Sequence, residues 1–437
     1  MRVSVFGLGY VGAVSAGCLA QSGHTVIGVD PDENKLLPIR EGRSPIVEKD
    51  LGGYLRDAVA AGRLTVTKSA AEAVAGSDVS LLCVGTPSRE NGDLKVDYVR
   101  RVSSEIGAAL KGKAGYHCVV LRSTVLPGTT EEHVIPLLEE GSGKKVGKEL
   151  GVAMNPEFLR EGTAVADFHD PPFTVIGAMH DRDYETVAKL YEGLSAPVVR
   201  TEIRQAEAIK YVCNCFHALK VTFANEVGLL CKAQGIDARR IMEIVCMDDK
   251  LNISTYYMKP GFAFGGSCLP KDVRAATYRA RRLDVPIPVL DAVMRSNRTQ
   301  IERAAARIQA MGKRNVGFLG LSFKPGTDDL RESPLVALAE LLIGKGYKVR
   351  IFDPNVSYAA LYGSNKAFIE SEIPHIAEIL TGDAQEVLDA SEVLVFSHNS
   401  PEFAELVSKT RPEHYCLDLA GIGKPSDYNG TYDGLYW

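Results

Sequence analysis

A short apolar run at residues 2–6 is followed at once by Gly7, Gly9 and Gly12, a helical pattern over 11–21, and a second apolar run over 25–29 that ends at Asp30. That order leaves few folds open. Glycine at the three positions permits a tight turn, close approach of a ligand to the backbone and close packing of helix on strand. The helix start offers unpaired N–H groups and the positive end of its dipole to a pyrophosphate. Asp30, 18 positions past Gly12, would accept from ribose hydroxyls and repel a 2′-phosphate, which selects NAD over NADP. The alternative is a tight structural turn, and the strand before and helix after it argue against that. Lys35, one turn into the next helix, either adds a charge near the ribose or is a solvated lysine.

The same rhythm continues. Apolar runs at 79–84, 118–121 and 173–176 alternate with helix-period stretches such as 96–110, as a parallel sheet with crossover helices requires. From 202 to 233 there is no proline and only Gly228, and apolar residues recur at steps of three and four, which predicts one long helix. Another helical stretch at 239–245, an irregular Tyr- and Gly-rich segment at 254–270 and further helix to about 311 follow. At Asn315 the opening order restarts: strand 316–319, loop 323–331, helix 334–343, strand 347–352, then Asp353. This second loop lacks the glycines and carries Lys324, Thr327, Asp328, Asp329 and Arg331 instead. The expected fold is α/β, with two Rossmann-like doubly wound parallel-sheet domains joined by a central helical region that contains a long helix. At ~150 residues per domain, the 437 residues divide into 1–200, 201–310 and 311–437.

Lys plus Arg number 50 against 55 Asp plus Glu, a net charge of −5. No global positive field exists for nucleic acid or an anionic membrane, so an anionic ligand must be met locally. No apolar stretch reaches the roughly 18 residues of a spanning helix, and none is expected to insert in a membrane. Nine cysteines without a tandem CxxC pair read as free thiols in a reducing cytoplasm, with no metal site.

Candidate chemistry lies in four places. Thr86 follows the 79–84 strand, and Ser123 and Thr124 follow the 118–121 strand; such loops meet ligands in doubly wound sheets, although a lone Thr is as readily a turn residue. Cys268 sits in Phe264-Gly265-Gly266-Ser267-Cys268-Leu269-Pro270-Lys271-Asp272. Two glycines allow close approach, Pro270 marks a helix start, and Lys271 adjoins, so thiolate is favoured. Lys210, Asn214 and His217 share one face of the long helix, with Asn225 further along, and can converge on a ligand oxygen; the alternative is a solvated stripe. Cys213 and His217 have a metal-compatible i, i+4 spacing, but two ligands do not make a site. Glu157 and Glu161 are two carboxylates near the end of the first lobe, or simply a helix's first turn.

Several motifs together resemble a known family: FGLGYVG at 6–12, NPEFLREGTA at 155–164, IKYVCNCFHALKVTFANE at 209–226, YYMKPGFAFGGSCLPKD at 256–272 and GLSFKPGTDDLRESP at 320–334. The chain is similar over essentially its whole length to the nucleotide-sugar 6-dehydrogenases, the UDP-glucose/GDP-mannose family, and within it to the GDP-mannose branch of alginate and exopolysaccharide biosynthesis. The resemblance implies a four-electron oxidation of GDP-mannose to GDP-mannuronate by two NAD, through a thiohemiacetal and a thioester on Cys268. It makes Lys210 and Asn214 stabilisers of the C6 oxyanions, with Asp272, Thr124 and Glu161 positioning water and relaying protons.

It further places Tyr10, Val11, Asp30, Lys35 and Thr86 at NAD, with Thr124, Lys271 and Arg331. At the nucleotide sugar it places Glu161, Lys210, Asn214, His217 and Asn225, and also Tyr256, Tyr257, Lys259, Phe262, Gly265 and Lys324. His217 and the Tyr256-Tyr257 pair look like the mannose branch. Lys259 stands where that branch carries Arg, so a forked phosphate contact becomes a point charge. Relatives dimerise through the long helix, and a homodimer or higher oligomer is expected. The alternatives are the same chemistry on UDP-glucose, a two-electron hydroxyacid dehydrogenase that would not need Cys268, and an NAD-binding redox sensor without turnover.

Overall fold

Strands covered on both faces need no polar alternation, and the first sheet is built from such runs: every residue of Val79–Leu82, His117–Leu121 and Leu150–Met154 is buried. The computed structural model describes the chain apart from residues 88, 90–92, 161, 255–260, 267–268, 326, 357–368, 375 and 436–437, and apart from the side chains of 218, 221, 271, 275 and 279. It forms two units, Met1–Ala218 and Leu219–Trp437.

In the first unit the strands are β1 Arg2–Phe6, β2 Thr25–Val29, β3 Leu64–Thr67, β4 Val79–Leu82, β5 His117–Leu121, β6 Leu150–Met154, β7 Thr174–Ala178 and β8 Val198–Thr201. They lie in the order β3-β2-β1-β4-β5-β6-β7-β8. The pairing is parallel except at β6–β7, which is antiparallel. The helix between these strands, Ala164–His169, has 6 residues, shorter than the crossover helices that usually join parallel strands.

In the second unit β9 Asn315–Leu319, β10 Lys348–Phe352, β11 Leu380–Thr381, β12 Val393–Phe396, β13 Tyr415–Asp418 and β14 Thr431–Gly434 form a parallel sheet ordered β11-β10-β9-β12-β13-β14. Each sheet reverses its winding beside its first strand, at β1/β4 and at β9/β12, where doubly wound sheets bind ligands.

The two sheets repeat one device at atomic level. Gly7 N donates to Val29 O at 2.8 Å and Leu8 N to Asp30 Oδ2 at 2.8 Å. In the second unit Gly320 N donates to Phe352 O at 2.7 Å and Leu321 N to Asp353 Oδ2 at 2.8 Å. In both, the acid closing the second strand pins the loop that leaves the first, so the strand–loop–helix–strand–acid order seen in the sequence is a repeated structural unit.

The helix after β1, Tyr10–Gln21, buries every residue from 12 to 20 and packs into a core with Val3, Val5, Leu36 and Leu55. The opposite face of the sheet is covered by Val99, Val102 and Ile106. The predicted long helix runs Ile203–Lys232. Two of its carboxylates cap other segments. Glu207, fully buried, accepts from Gly128 N at 2.6 Å, Thr130 N at 2.8 Å and Thr130 Oγ1 at 2.6 Å. In the second unit Glu226 accepts from Val289 N at 2.8 Å and Leu290 N at 3.0 Å, in the first turn of the helix Pro288–Ala310. Anionic groups are favoured at such helix starts by the unpaired N–H groups and the dipole.

Candidate active site

The dinucleotide crevice forms where the carboxyl ends of β1, β2, β4 and β5 meet. Gly9 caps the Tyr10–Gln21 helix in an extended conformation, without a capping side chain and with no acidic residue in the first turn. The helix start is therefore left for an anion. A Cβ on Gly12 would lie 1.7 Å from Gly7 O, whereas one on Gly9 would meet nothing within 4 Å. Gly12 is thus required by the fold itself, and the space over Gly9 suits a pyrophosphate. These features fit NAD.

Asp30 is buried and accepts from Lys35 Nζ at 2.9 Å as well as from Leu8 N; Lys35 is an ion-pair partner of the acid rather than an isolated surface lysine. Thr86 Oγ1 donates to Thr124 O at 2.7 Å, so the β4 and β5 loops are joined directly. The Tyr10 hydroxyl donates to Glu48, whose carboxylate also accepts from Gly162 N at 2.8 Å and Ala164 N at 3.0 Å. Burial alone would raise the Glu48 carboxyl. The hydrogen bonds from Tyr10 and the main chain outweigh it and hold the group below the usual carboxylate range.

Beside this crevice a cleft of about 430 Å³ is lined by Arg122, Glu157, Phe158, Tyr191, Cys213 and His217 among others. Lys210 Nζ lies 3.1 Å from Glu157 Oε1 and 5.4 Å from the centroid of the Phe158 ring. Glu157 Oε2 accepts from Leu159 N at 2.8 Å. Behind the pair, the buried Arg122 guanidinium donates to Asn155 Oδ1 at 2.6 Å and Tyr191 Oη at 2.8 Å, and Asn155 Nδ2 donates to Val175 O at 2.8 Å. The floor of the cleft is thus a fixed, cationic hydrogen-bonded layer. Cys83, nearby, is a core thiol, pushed up to about 12 by burial against the opposing Arg122 charge.

Of the long-helix residues, Lys210 is buried at Glu157; Asn214, His217 and Asn225 are all exposed, and of these three His217 lines the cleft. Sequence reasoning missed Arg122, Tyr191, Glu48 and Glu207. Only Arg122 carried a signal, a charge closing the apolar run before Ser123 and Thr124.

In the second unit the Leu269–Arg282 helix begins at the residue after Cys268 and has Asp272 in its first turn. Phe262 packs against the core of that unit. Lys324 Nζ stands 5.4 Å from the centroid of its neighbour Phe323. Arg331 is engaged by both Asp329 oxygens, at 2.8 and 2.7 Å, and this hydrogen bonding, against the effect of burial, holds the Asp329 carboxyl below its ordinary value. Glu161, Tyr256, Tyr257, Lys259, Cys268 and the Lys271 side chain lie outside the described residues. Among the described residues no group of three or more potential ligands gathers around a metal position, and no helix is long and apolar enough to cross a membrane.

Two nucleotide-type sheets, one with an open glycine-rich helix start and a strand-end acid, define a dinucleotide-binding protein of the doubly wound class. Comparison with known proteins carries this further. Residues 1–195 match the NAD binding domain of the UDP-glucose/GDP-mannose dehydrogenase family, 204–299 its central domain and 317–425 its UDP binding domain. The chain belongs to that family. It is 53% identical to the GDP-mannose 6-dehydrogenases of Pseudomonas putida, over 438 residues, and Pseudomonas aeruginosa, over 437, covering 100% of each chain. The UDP-glucose 6-dehydrogenase of Haloferax volcanii is 40% identical over 81% of this chain and 83% of that one. A crystal structure of a ternary complex of GDP-mannose dehydrogenase from Pseudomonas aeruginosa superposes with a TM-score of 0.96 over 100% of both chains.

Proposed function

We propose that the protein oxidises GDP-mannose to GDP-mannuronate, taking four electrons from one carbon with two NAD. The observation that carries the choice of sugar is the full-length 53% identity to GDP-mannose enzymes, with a TM-score of 0.96, against 36% identity and a TM-score of 0.56 for the UDP-glucose dehydrogenase of Pyrobaculum islandicum. NAD, when bound, accepts a hydride in each of two oxidations. The C6 alcohol loses a hydride from carbon and a proton from its hydroxyl to become an aldehyde. The Cys268 thiolate adds to that aldehyde, giving a thiohemiacetal. Loss of a second hydride leaves a thioester, and water cleaves it to the carboxylate and the free thiol. Covalent capture keeps the aldehyde in place between the two oxidations.

The chain's own residues supply the rest. Cys268 precedes the start of a helix, whose dipole favours thiolate. Lys210, fixed by Glu157, brings a buried cation toward the C6 oxygen with Asn214 beside it; Thr124, Glu161 and Asp272 manage water and protons. Gly7, Gly9, Tyr10, Val11, Gly12, Asp30, Lys35 and Thr86 hold the dinucleotide, with Lys271 and Arg331. His217, Asn225, Tyr256, Tyr257, Lys259, Phe262, Gly265 and Lys324 hold the nucleotide sugar. In this division residues 1–200 serve the cofactor, 201–310 connect and dimerise, and 311–437 serve the nucleotide.

A homodimer through the long helix is supported by its exposed apolar residues: Val212 and Leu219 are 66% and 50% exposed and Phe216 and Phe223 are also partly bare, and exposed apolar patches favour interaction surfaces. A monomer in light scattering at working concentration rejects this. The reaction itself is tested by NADH formed per GDP-mannose consumed. Two is expected, and one, or better turnover of UDP-glucose, overturns the proposal.

A further inference from the structure

The segment leading to Cys268 is held from three sides in the second unit. Asn297, on the Pro288–Ala310 helix, grips one residue of it with both ends of its amide. Asn297 Oδ1 accepts from Phe264 N at 2.9 Å, and Asn297 Nδ2 donates to Phe264 O at 2.8 Å. The next two residues have no room for a side chain. A Cβ on Gly265 would lie 2.3 Å from Glu332 O, and one on Gly266, whose φ is +84°, would lie 2.9 Å from the Phe323 ring. Glu332 is itself fixed by an ion pair with Arg274 and has a positive φ of 54°.

The paired hydrogen bonds of one amide set both the position and the orientation of the peptide they hold, which a single bond does not. Asn297 is the side-chain member of this clamp, and it acts four residues ahead of the thiol. Neither the motifs nor the spacing of the sequence singled it out.

We infer that Asn297 is a positioning residue: by fixing the Phe264 peptide, on the chain that leads to Cys268, it governs how efficiently the half-oxidised aldehyde is captured. This rests on the thioester reading above. A thiol displaced by a fraction of an ångström captures the aldehyde more slowly, by roughly 10²-fold for a 1 Å error, and an uncaptured aldehyde escapes after one oxidation. The decisive readout is therefore a ratio within each turnover, independent of how much enzyme is folded.

The experiment measures NADH formed per GDP-mannose consumed, with released aldehyde trapped by a hydrazine reagent, for the full-length enzyme and for Asn297→Ala and Asn297→Asp. Asp keeps the acceptor toward Phe264 N and loses the donor toward Phe264 O, so it serves as the partial variant and the one to read should Ala not fold. The expected result is a wild-type ratio of two, falling toward one in Asn297→Ala and less far in Asn297→Asp, with trapped aldehyde making up the difference. A ratio of two with no trapped aldehyde in both variants, whatever their stability, overturns the inference alone. A wild-type ratio of one, or normal acid formation by Cys268→Ser, overturns the thioester reading and this inference with it.

Discussion

Replacing Lys210 with Met separates what this lysine does for the fold from what it does for the reaction. The ammonium lies 3.1 Å from Glu157 Oε1, and each side chain is 10% exposed. At an effective dielectric of about 20, a pair at that distance has about 5 kcal/mol of Coulomb energy before desolvation is subtracted. Methionine keeps most of the length and loses the charge, leaving the Glu157 carboxylate buried with the Leu159 N–H as a donor. Removing one partner of a buried pair costs about 3–5 kcal/mol. For a unit of about 200 residues that corresponds to a fall in thermal midpoint of roughly 6–20 °C. Glutamine at 157 removes the stranded charge and still accepts from Leu159, so Lys210→Met with Glu157→Gln should recover most of the lost stability.

Activity should not follow. If Lys210 stabilises the C6 oxyanion, both the single and the double variant lose about 10²–10³-fold in kcat. Urea unfolding followed by circular dichroism gives the first quantity, and NADH absorbance at saturating GDP-mannose gives the second. A double variant as unstable as the single one refutes the stranded-charge argument. Recovery of activity along with stability would reduce Lys210 to a counter-charge for Glu157.

Two more outcomes follow from the first unit. Gly9→Ala should fold with unchanged stability but lose NAD affinity in calorimetry, because its Cβ meets no protein atom within 4 Å and intrudes only on a bound pyrophosphate; Gly12→Ala, facing Gly7 O, should lose stability and NAD binding together, and equal behaviour of the two would contradict the crevice as described. His117 is fully buried in β5 with Nε2 2.8 Å from Ser80 Oγ, and burial pulls its pKa down to about 3. The unfolded ring takes up a proton that the folded ring refuses, so the stability it contributes is complete above about pH 6.5 and falls as pH drops toward 3, by about 1.4 kcal/mol per unit. His117→Gln should flatten that part of the profile in urea unfolding between pH 7.5 and 5, and an unaltered slope would refute the assignment.

Much of this protein was determined by features that act over a few residues. Gly7, Gly9 and Gly12 enforce a turn whose space is set by local backbone geometry. Unbroken apolar runs call for strands covered on both faces, and the stretch without proline at 202–233 becomes the helix Ile203–Lys232. For the same reason the repeat of the opening order after Asn315 was visible, down to the two acids that pin the loops. Tertiary structure decided what depends on partners distant in the chain. Glu207 and Gly128 are 79 positions apart, and nothing near either one announces the cap. Arg122 reaches Tyr191 69 positions on, Tyr10 meets Gly162, and Asn297 holds Phe264 across 33 positions. The long helix shows the limit of periodicity itself. At about 100° per residue, His217 falls roughly 20° to one side of Lys210 and Asn214 roughly 40° to the other, so spacing groups all three; both are exposed, and only the surface packed against the helix makes His217 and not Asn214 part of the cleft lining.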